Sequence, residues 1–370
     1  MWLWLCLCLV LASPVESPIA LAAQLAGDGN TDRALSALQQ VDPNKLGKEE
    51  ALYRATVGLI ALQQQRYPQA LEAFQQALVL VEEGQEGPQI TTLYLYIGQC
   101  HLLMSDPQQA LAALARADLE NVNTHLLIVR AHRDLQDYAS AWQTVDDAVA
   151  QFPSDISIRL AKIDLALGLN QLQSVREEVA FFSASEQTTA DVLLRIAQQC
   201  REQQALSEAA LFLQAGRYRF SDEEIWKASA IISLQQERWV EAGEILQVMA
   251  LQRPEYAIEA AEAYRQADLL DRAFLQNSFA PPSPEKTSQR LSLLLEQQEY
   301  ERALALEPRV RFWELSEEDS IRYGLAYAYY QTKDYTAALA YLKGISDQAV
   351  FQQAIGLRRA IEGCQRQGCP

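Results

Sequence analysis

An aromatic residue followed three positions later by alanine recurs along this chain, at Tyr67/Ala70, Tyr138/Ala141, Trp239/Ala242, Tyr300/Ala303 and Tyr335/Ala338. Self-similarity with a period of about 20 to 50 residues is the signature of stacked repeats, in which each unit buries its apolar face only against its neighbours. Weaker members extend the series to Ala34, Ala70, Ala110, Ala141, Val175, Ala209, Ala242, Ala273, Ala303 and Ala338, in steps of 30 to 40 residues. The longest step contains the polar, glycine-bearing insertion from Glu82 to Pro88. The run Leu-Gln-Gln-x-Arg-aromatic returns in the same register, from Leu62 to Tyr67 and from Leu234 to Trp239.

Within a unit the apolar residues fall at helical spacing, as in Leu52, Ala55, Leu59 and Leu62, then after a short polar break Ala70, Leu71, Phe74, Ala77 and Leu78. This spacing predicts helix, turn, helix. Pro68 and Pro107 fall at the start of the second helix, where a missing N–H is harmless; Pro153 and Pro254 fall just past its end and stop it. No β-rich block interrupts the pattern, and the fold class read from it is all-α.

Gly58, Tyr67, Ala70, Phe74 and Ala77 follow the small, aromatic, small, large, small order of one known repeat. Partial matches are Gly98, Ala110, Leu114 and Ala117; Trp226, Ala230, Trp239, Ala242 and Pro254; and Ala326, Tyr329, Tyr335 and Ala338. On these residues the chain resembles the tetratricopeptide repeat (TPR) proteins, of a bacterial exported type. The resemblance implies an α-α superhelical solenoid of about ten TPR-like hairpins over residues 15–345, degenerate at 156–189 and 254–310, with 346–370 as a capping helix and a cysteine-containing tail. In the degenerate spans Lys162, Ile163 and Val175 replace small residues. The physical expectation is that a small residue lets paired helices approach closely while a large one fills the gap to the next hairpin.

Trp2 to Ala12 is an unbroken apolar run. It is too short to span a bilayer, which takes about 20 residues, and it suits the core of a secretory signal, so residues 1–12 are read as a signal peptide. A periplasmic or secreted location follows as an expectation. No Lys or Arg precedes the run, which leaves an interfacial anchor or a cytoplasmic location open. Beyond the signal, Cys364 and Cys369 frame Gln365-Arg366-Gln367-Gly368 and form a candidate disulfide in an oxidising compartment, with two idle thiols as the alternative. Cys100 and Cys200 sit on apolar helices and read as small buried hydrophobes.

The net charge of −17 argues against a nucleic-acid partner, because binding a polyanion needs a basic stripe. No nucleophile elbow, P-loop, dinucleotide fingerprint or His-Glu-x-x-His occurs. His125 and His132 lie seven apart on one helical face, and with His101 they are read as packing residues. No catalytic, cofactor or metal residues are expected. What remains is a binding surface, which the resemblance places on the first helices of the hairpins. Ala55, Leu102 and Leu126 are read as facing it, together with the candidate partner contacts Arg130, Arg133, Tyr323, Tyr327 and Tyr330. Tyrosines offer large amphipathic contact area. The function expected is a non-catalytic scaffold that binds a protein partner as a peptide or helix, with peripheral association with envelope complexes. The alternative is an accessory subunit of a polysaccharide export or cell-wall enzyme complex, with glycan contacts.

Overall fold

The computed structural model describes residues 17–43 and 45–367. The apolar run of 1–12, Cys369 and the end of the tail lie outside the described residues. Among the described residues every regular element is a helix. The chain divides into two compact units between Leu169 and Asn170, inside the span 156–189 where the repeat pattern is poorest.

The first unit pairs Pro18–Gly27 with Thr31–Leu38, Glu50–Gln63 with Tyr67–Glu82, Ile90–Leu103 with Pro107–Leu114, and Val122–Asp134 with Tyr138–Gln151, and ends with Ile156–Gly168. The second begins with Leu172–Ala184. It then pairs Ala190–Glu202 with Leu206–Arg219, Glu223–Gln235 with Trp239–Ala250, Tyr256–Gln266 with Leu270–Phe279, and Asp319–Gln331 with Tyr335–Tyr341. Between the last two pairs, Pro284–Glu296 meets a second helix broken into Tyr300–Leu304 and Glu307–Phe312, and Gln348–Gln367 closes the unit.

The residues of the repeat series are the innermost points of these hairpins: Ala34, Ala70, Ala110, Ala141, Val175, Ala209, Ala242, Ala273, Ala303 and Ala338 are all 0% exposed. The close approach they permit is visible at the glycines that accompany them. A Cβ added to Gly58 would stand 2.8 Å from the Phe74 ring, and one on Gly98 would stand 2.6 Å from Leu114. Both distances are inside van der Waals contact, so hydrogen at these positions is a packing requirement. The larger residues of the degenerate span are accommodated differently. Ile163 and Val175 are fully buried, and Lys162 carries its charge to Asp146 at 2.9 Å.

A second periodic feature lies in the turns. Five residues before each member of the series stands a residue of positive φ: Gly29, Gln65, Ser105, Gln136, Asn170, Gln204, Glu237, Asp268, Gln298 and Lys333, with φ between 55° and 78°. Each ends a first helix in the left-handed region. Two backbone bonds close the turn, as where Arg66 N donates to Ala61 O at 2.8 Å and Gln65 N to Leu62 O at 3.0 Å. These bonds satisfy the last carbonyls of the helix. The following residue then caps the second helix: Asp106, Asp137 and Asp334 accept from the backbone N–H of Gln109, Ser140 and Ala337.

Candidate functional site

The histidines and free cysteines serve packing. His125 Nε2 lies 2.9 Å from Leu119 O, and its ring meets Phe152 edge-on at 5.6 Å. His101 and His132 face the capping carboxylates of Asp106 and Asp137 at 3.9 and 3.5 Å. Cys100 and Cys200 are buried, and desolvation pushes both thiols up to about 12. Thiols held protonated this way are poor nucleophiles and poor metal ligands. Among the described residues no group of three or more His, Cys, Asp or Glu is placed to hold a metal ion. No helix among them is long and apolar enough to cross a membrane.

The two sets of expected partner contacts are already engaged within the chain. Arg133 forms an ion pair with Asp164, and Arg130 Nε lies 3.8 Å from Asp134. Tyr323, Tyr327 and Tyr330 are half-buried against a cluster to which the terminal helix contributes Ala354, Leu357 and Ile361. Tyr327 also packs edge-on against Tyr300 at 5.9 Å, and the Tyr330 hydroxyl lies 3.9 Å from Cys364 Sγ. Cys364 is disulfide-bonded, while Cys369 lies outside the described residues. The terminal helix therefore occupies the tyrosine face, leaving less ring surface for a glycan or a peptide. Ala55 and Leu102, also expected at the binding face, are buried at 4% and 3% exposure. They point into the hairpin because a first helix needs apolar residues on the side facing its own partner as well.

The open first-helix surface lies elsewhere, in the second unit. Ala190–Glu202 and Glu223–Gln235 flank a hollow of about 480 Å³ floored by Leu194, Ala197, Leu213, Ile231 and Ile232. Arg195 and Arg201 stand at its rim, and neither side chain hydrogen-bonds or ion-pairs with the described residues. Lys227 is spoken for by Glu223 and Glu224, at 3.0 and 2.9 Å. Ile231, on the same hollow, is 43% exposed.

The next pair of first helices, Tyr256–Gln266 and Pro284–Glu296, lines a larger hollow of about 720 Å³ with the opposite charge. Leu234, Trp239, Ile258 and Ala263 supply apolar surface, and Glu259, Glu262, Glu285 and Glu296 surround them. Arg265 neutralises two of these carboxylates, with Glu262 at 2.6 Å and Glu296 at 2.8 Å. Glu259 is not answered by a cation; partial shielding by its neighbours pushes its carboxyl up from the usual range. The first helices thus carry, side by side, an apolar trough edged with spare positive charge and one edged with spare negative charge. Nothing in this arrangement activates a nucleophile or shares a proton between acids. It can hold an extended or helical segment by apolar contact and fix its direction by charge.

The hairpin geometry has a counterpart in sequence comparison: residues 49–117, two of the hairpins described above, match the tetratricopeptide repeat family. A fully buried residue at the same position, alanine except for Val175, and the same left-handed turn recur along the rest of the series. Residues 49–117 are thus tetratricopeptide repeats. No curated protein matches the chain in sequence. Among solved structures, this chain is similar to yeast Tom70, with 10% identity and a TM-score of 0.35 over 94% of this chain and 96% of that one. It is also similar to a tetratricopeptide repeat protein from Parabacteroides merdae, with 12% identity and a TM-score of 0.31 over 76% and 99%. A third is the Cut9–Hcn1 hetero-tetramer of the APC/C, with 13% identity and a TM-score of 0.34 over 93% and 83%. None of these likenesses carries a partner across to this chain.

The sequence pattern pointed to tyrosines and arginines because such residues dominate binding hot spots. It missed Arg195, Arg201 and Glu259 because type alone does not reveal which charges find a mate in the next hairpin. One signal was present. From Leu194 to Arg201 two arginines frame apolar residues and glutamines, and no acidic residue intervenes.

Proposed function

We propose that this TPR chain is a non-catalytic scaffold that holds a segment of a protein partner along the first helices of its second unit. The observation carrying this reading is the pair of adjoining troughs, one with unpaired Arg195 and Arg201 and the other with unanswered Glu259. The segment that fits is amphipathic, with acidic residues toward Ala190–Glu202 and basic residues toward Pro284–Glu296. The family match supports the coarser reading of a protein-interaction scaffold. The apolar run from Trp2 to Ala12 supports export to the periplasm, where the partner would belong to an envelope complex.

The test is site-specific photo-cross-linking in cells, with the probe at Gln198, Ile231 or Gln266, run beside fractionation and mapping of the mature N-terminus. One partner captured from all three positions, and lost in an Arg195→Glu/Arg201→Glu variant, is the expected result. Capture from positions on the second helices, with none from these three, would overturn the placement. A mature chain that retains Trp2 in the cytosol would overturn the export reading alone.

A further inference from the structure

Within the span 254–310, where the repeat pattern is faint, four cations fall on three neighbouring helices. Lys286 and Arg290 lie on Pro284–Glu296, Arg302 on Tyr300–Leu304 and Arg309 on Glu307–Phe312. The Arg290 and Arg302 guanidinium carbons lie 3.9 and 5.1 Å from the centroid of one ring, Phe274. One aromatic side chain therefore gathers two cations that would otherwise separate. Lys286 donates to the carbonyls of Ser278 and Ala280, and Arg290 donates to Asn277 Oδ1 at 3.1 Å. These neutral acceptors satisfy hydrogens and leave the charges standing.

Carboxylates do little to balance the cluster. Arg302 meets Glu299 at 3.5 Å in an exposed pair. Glu307, on the helix that carries Arg309, is occupied by Arg311 and by the hydroxyls of Tyr329 and Tyr341. The Arg309 side chain is exposed and makes no hydrogen bond or ion pair with the described residues. Burial, then the neighbouring cations, holds Lys286 below the usual lysine range and Arg290 below the usual arginine range.

We propose that Lys286, Arg290, Arg302 and Arg309 form a binding site for a phosphate-class oxyanion. Guanidinium forks match the paired oxygens of such a group, and an ammonium adds a point charge. Of the four cations only Arg302 is ion-paired to a carboxylate among the described residues, so a dianion balances the site better than a single carboxylate does. The source of the phosphate is either a free oxyanion or a lipid headgroup. The second is included because Phe279 and Phe312, at the ends of helices Leu270–Phe279 and Glu307–Phe312, are 62% and 73% exposed. This site is separate from the first-helix troughs, and its test does not depend on the protein partner.

The full chain is titrated with inorganic phosphate at constant low ionic strength, by calorimetry and by thermal melting. In parallel it is floated with phosphatidylcholine vesicles that contain or lack phosphatidate. Arg302→Gln/Arg309→Gln is the main variant, because both side chains are exposed and their loss spares the core. Arg195→Gln/Arg201→Gln is the control for cations of the trough. The expected result is phosphate binding, or phosphatidate-dependent flotation, weakened about tenfold or more in the first variant and unchanged in the control. Saturable binding of inorganic phosphate assigns the site to a free oxyanion; flotation without it assigns the site to a headgroup. Absence of both, or equal binding by the Arg302→Gln/Arg309→Gln variant, overturns the proposal.

Discussion

In the first unit several cations pair across the boundary from one hairpin to the next, whereas in the second two arginines at the rim of an open hollow are left without a carboxylate among the described residues. Arg116 reaches Glu82 at 3.7 Å, Lys162 reaches Asp146 at 2.9 Å and Arg133 pairs with Asp164, each joining one hairpin to the next. The second unit has links of the same kind, such as Arg176 with buried Glu208 and Arg265 with Glu296, at 2.6 and 2.8 Å. Yet among the described residues Arg195, Arg201 and Arg309 find no mate, and Arg290 and Arg302 share one phenyl ring. The backbone plan is the same throughout. Paired charges hold hairpins together, and unpaired ones are what a partner can use.

If the plan is shared, damage to its innermost point should cost both units alike. Ala141→Phe and Ala242→Phe each place a ring where exposure is 0%, and each should destabilise by about 1–3 kcal/mol. Chemical denaturation followed by a fluorophore in each unit reads the two separately. A loss confined to one unit would show that the series has different structural roles in the two.

A second contrast lies within the second unit, between two glutamates. Burial pushes the Glu307 carboxyl up, but hydrogen bonds from Tyr329, Tyr341 and Arg311 outweigh it and leave it below the usual value of 4.5. The unfolded pKa is therefore the higher of the two. Its stabilisation is fully present above about pH 4.5 and is lost as pH falls through the folded value. Glu307→Gln should cost about 1–2 kcal/mol at neutral pH and flatten the acid limb of the stability profile. Glu259 runs the other way, because its raised carboxyl is disfavoured in the ionised form. Glu259→Gln should leave stability at neutral pH equal or higher. Melting temperatures of the two variants between pH 3 and 7 check the opposite signs.

Much of this architecture was legible in the spacing of ten positions, since nine of them are alanine and all are fully buried. Alanine at helical spacing beside an aromatic residue has few other uses. The left-handed turns were not legible. Gly29 and Asn170 are the types expected there, but Gln65, Gln136, Glu237 and Lys333 adopt the same φ. The closing hydrogen bonds and the packing of both helices impose that conformation against local preference. The site was less legible still. Tyr323, Tyr327 and Tyr330 have the composition of a contact surface, and only the course of Gln348–Gln367 reveals that the chain covers them itself.

The turns give a smaller test of sameness. A glutamine with positive φ carries strain that glycine does not, so Gln136→Gly and Gln204→Gly should each stabilise by about 1 kcal/mol. Greater freedom of glycine in the unfolded chain offsets part of the gain. A gain in one unit without the other would mean that the strain is relieved differently along the repeat.

The smallest effect belongs to the ion pairs themselves. Arg133 and Asp164 both have side chains close to half exposed, at 44% and 48%. Water and salt screen such a pair, and ordering two flexible side chains costs entropy, so Arg133→Gln should change stability by less than about 1 kcal/mol and less again at high salt. Arg201→Gln has no carboxylate to lose and should leave stability unchanged or slightly improved at any ionic strength. Thermal melts of both variants at low and high salt separate the cases. A salt-dependent loss at Arg133 with none at Arg201 is what a structural cation and a spare one predict. Equal salt dependence at the two positions would remove the distinction between a paired and a spare cation, and with it the reason for placing a partner at Arg201.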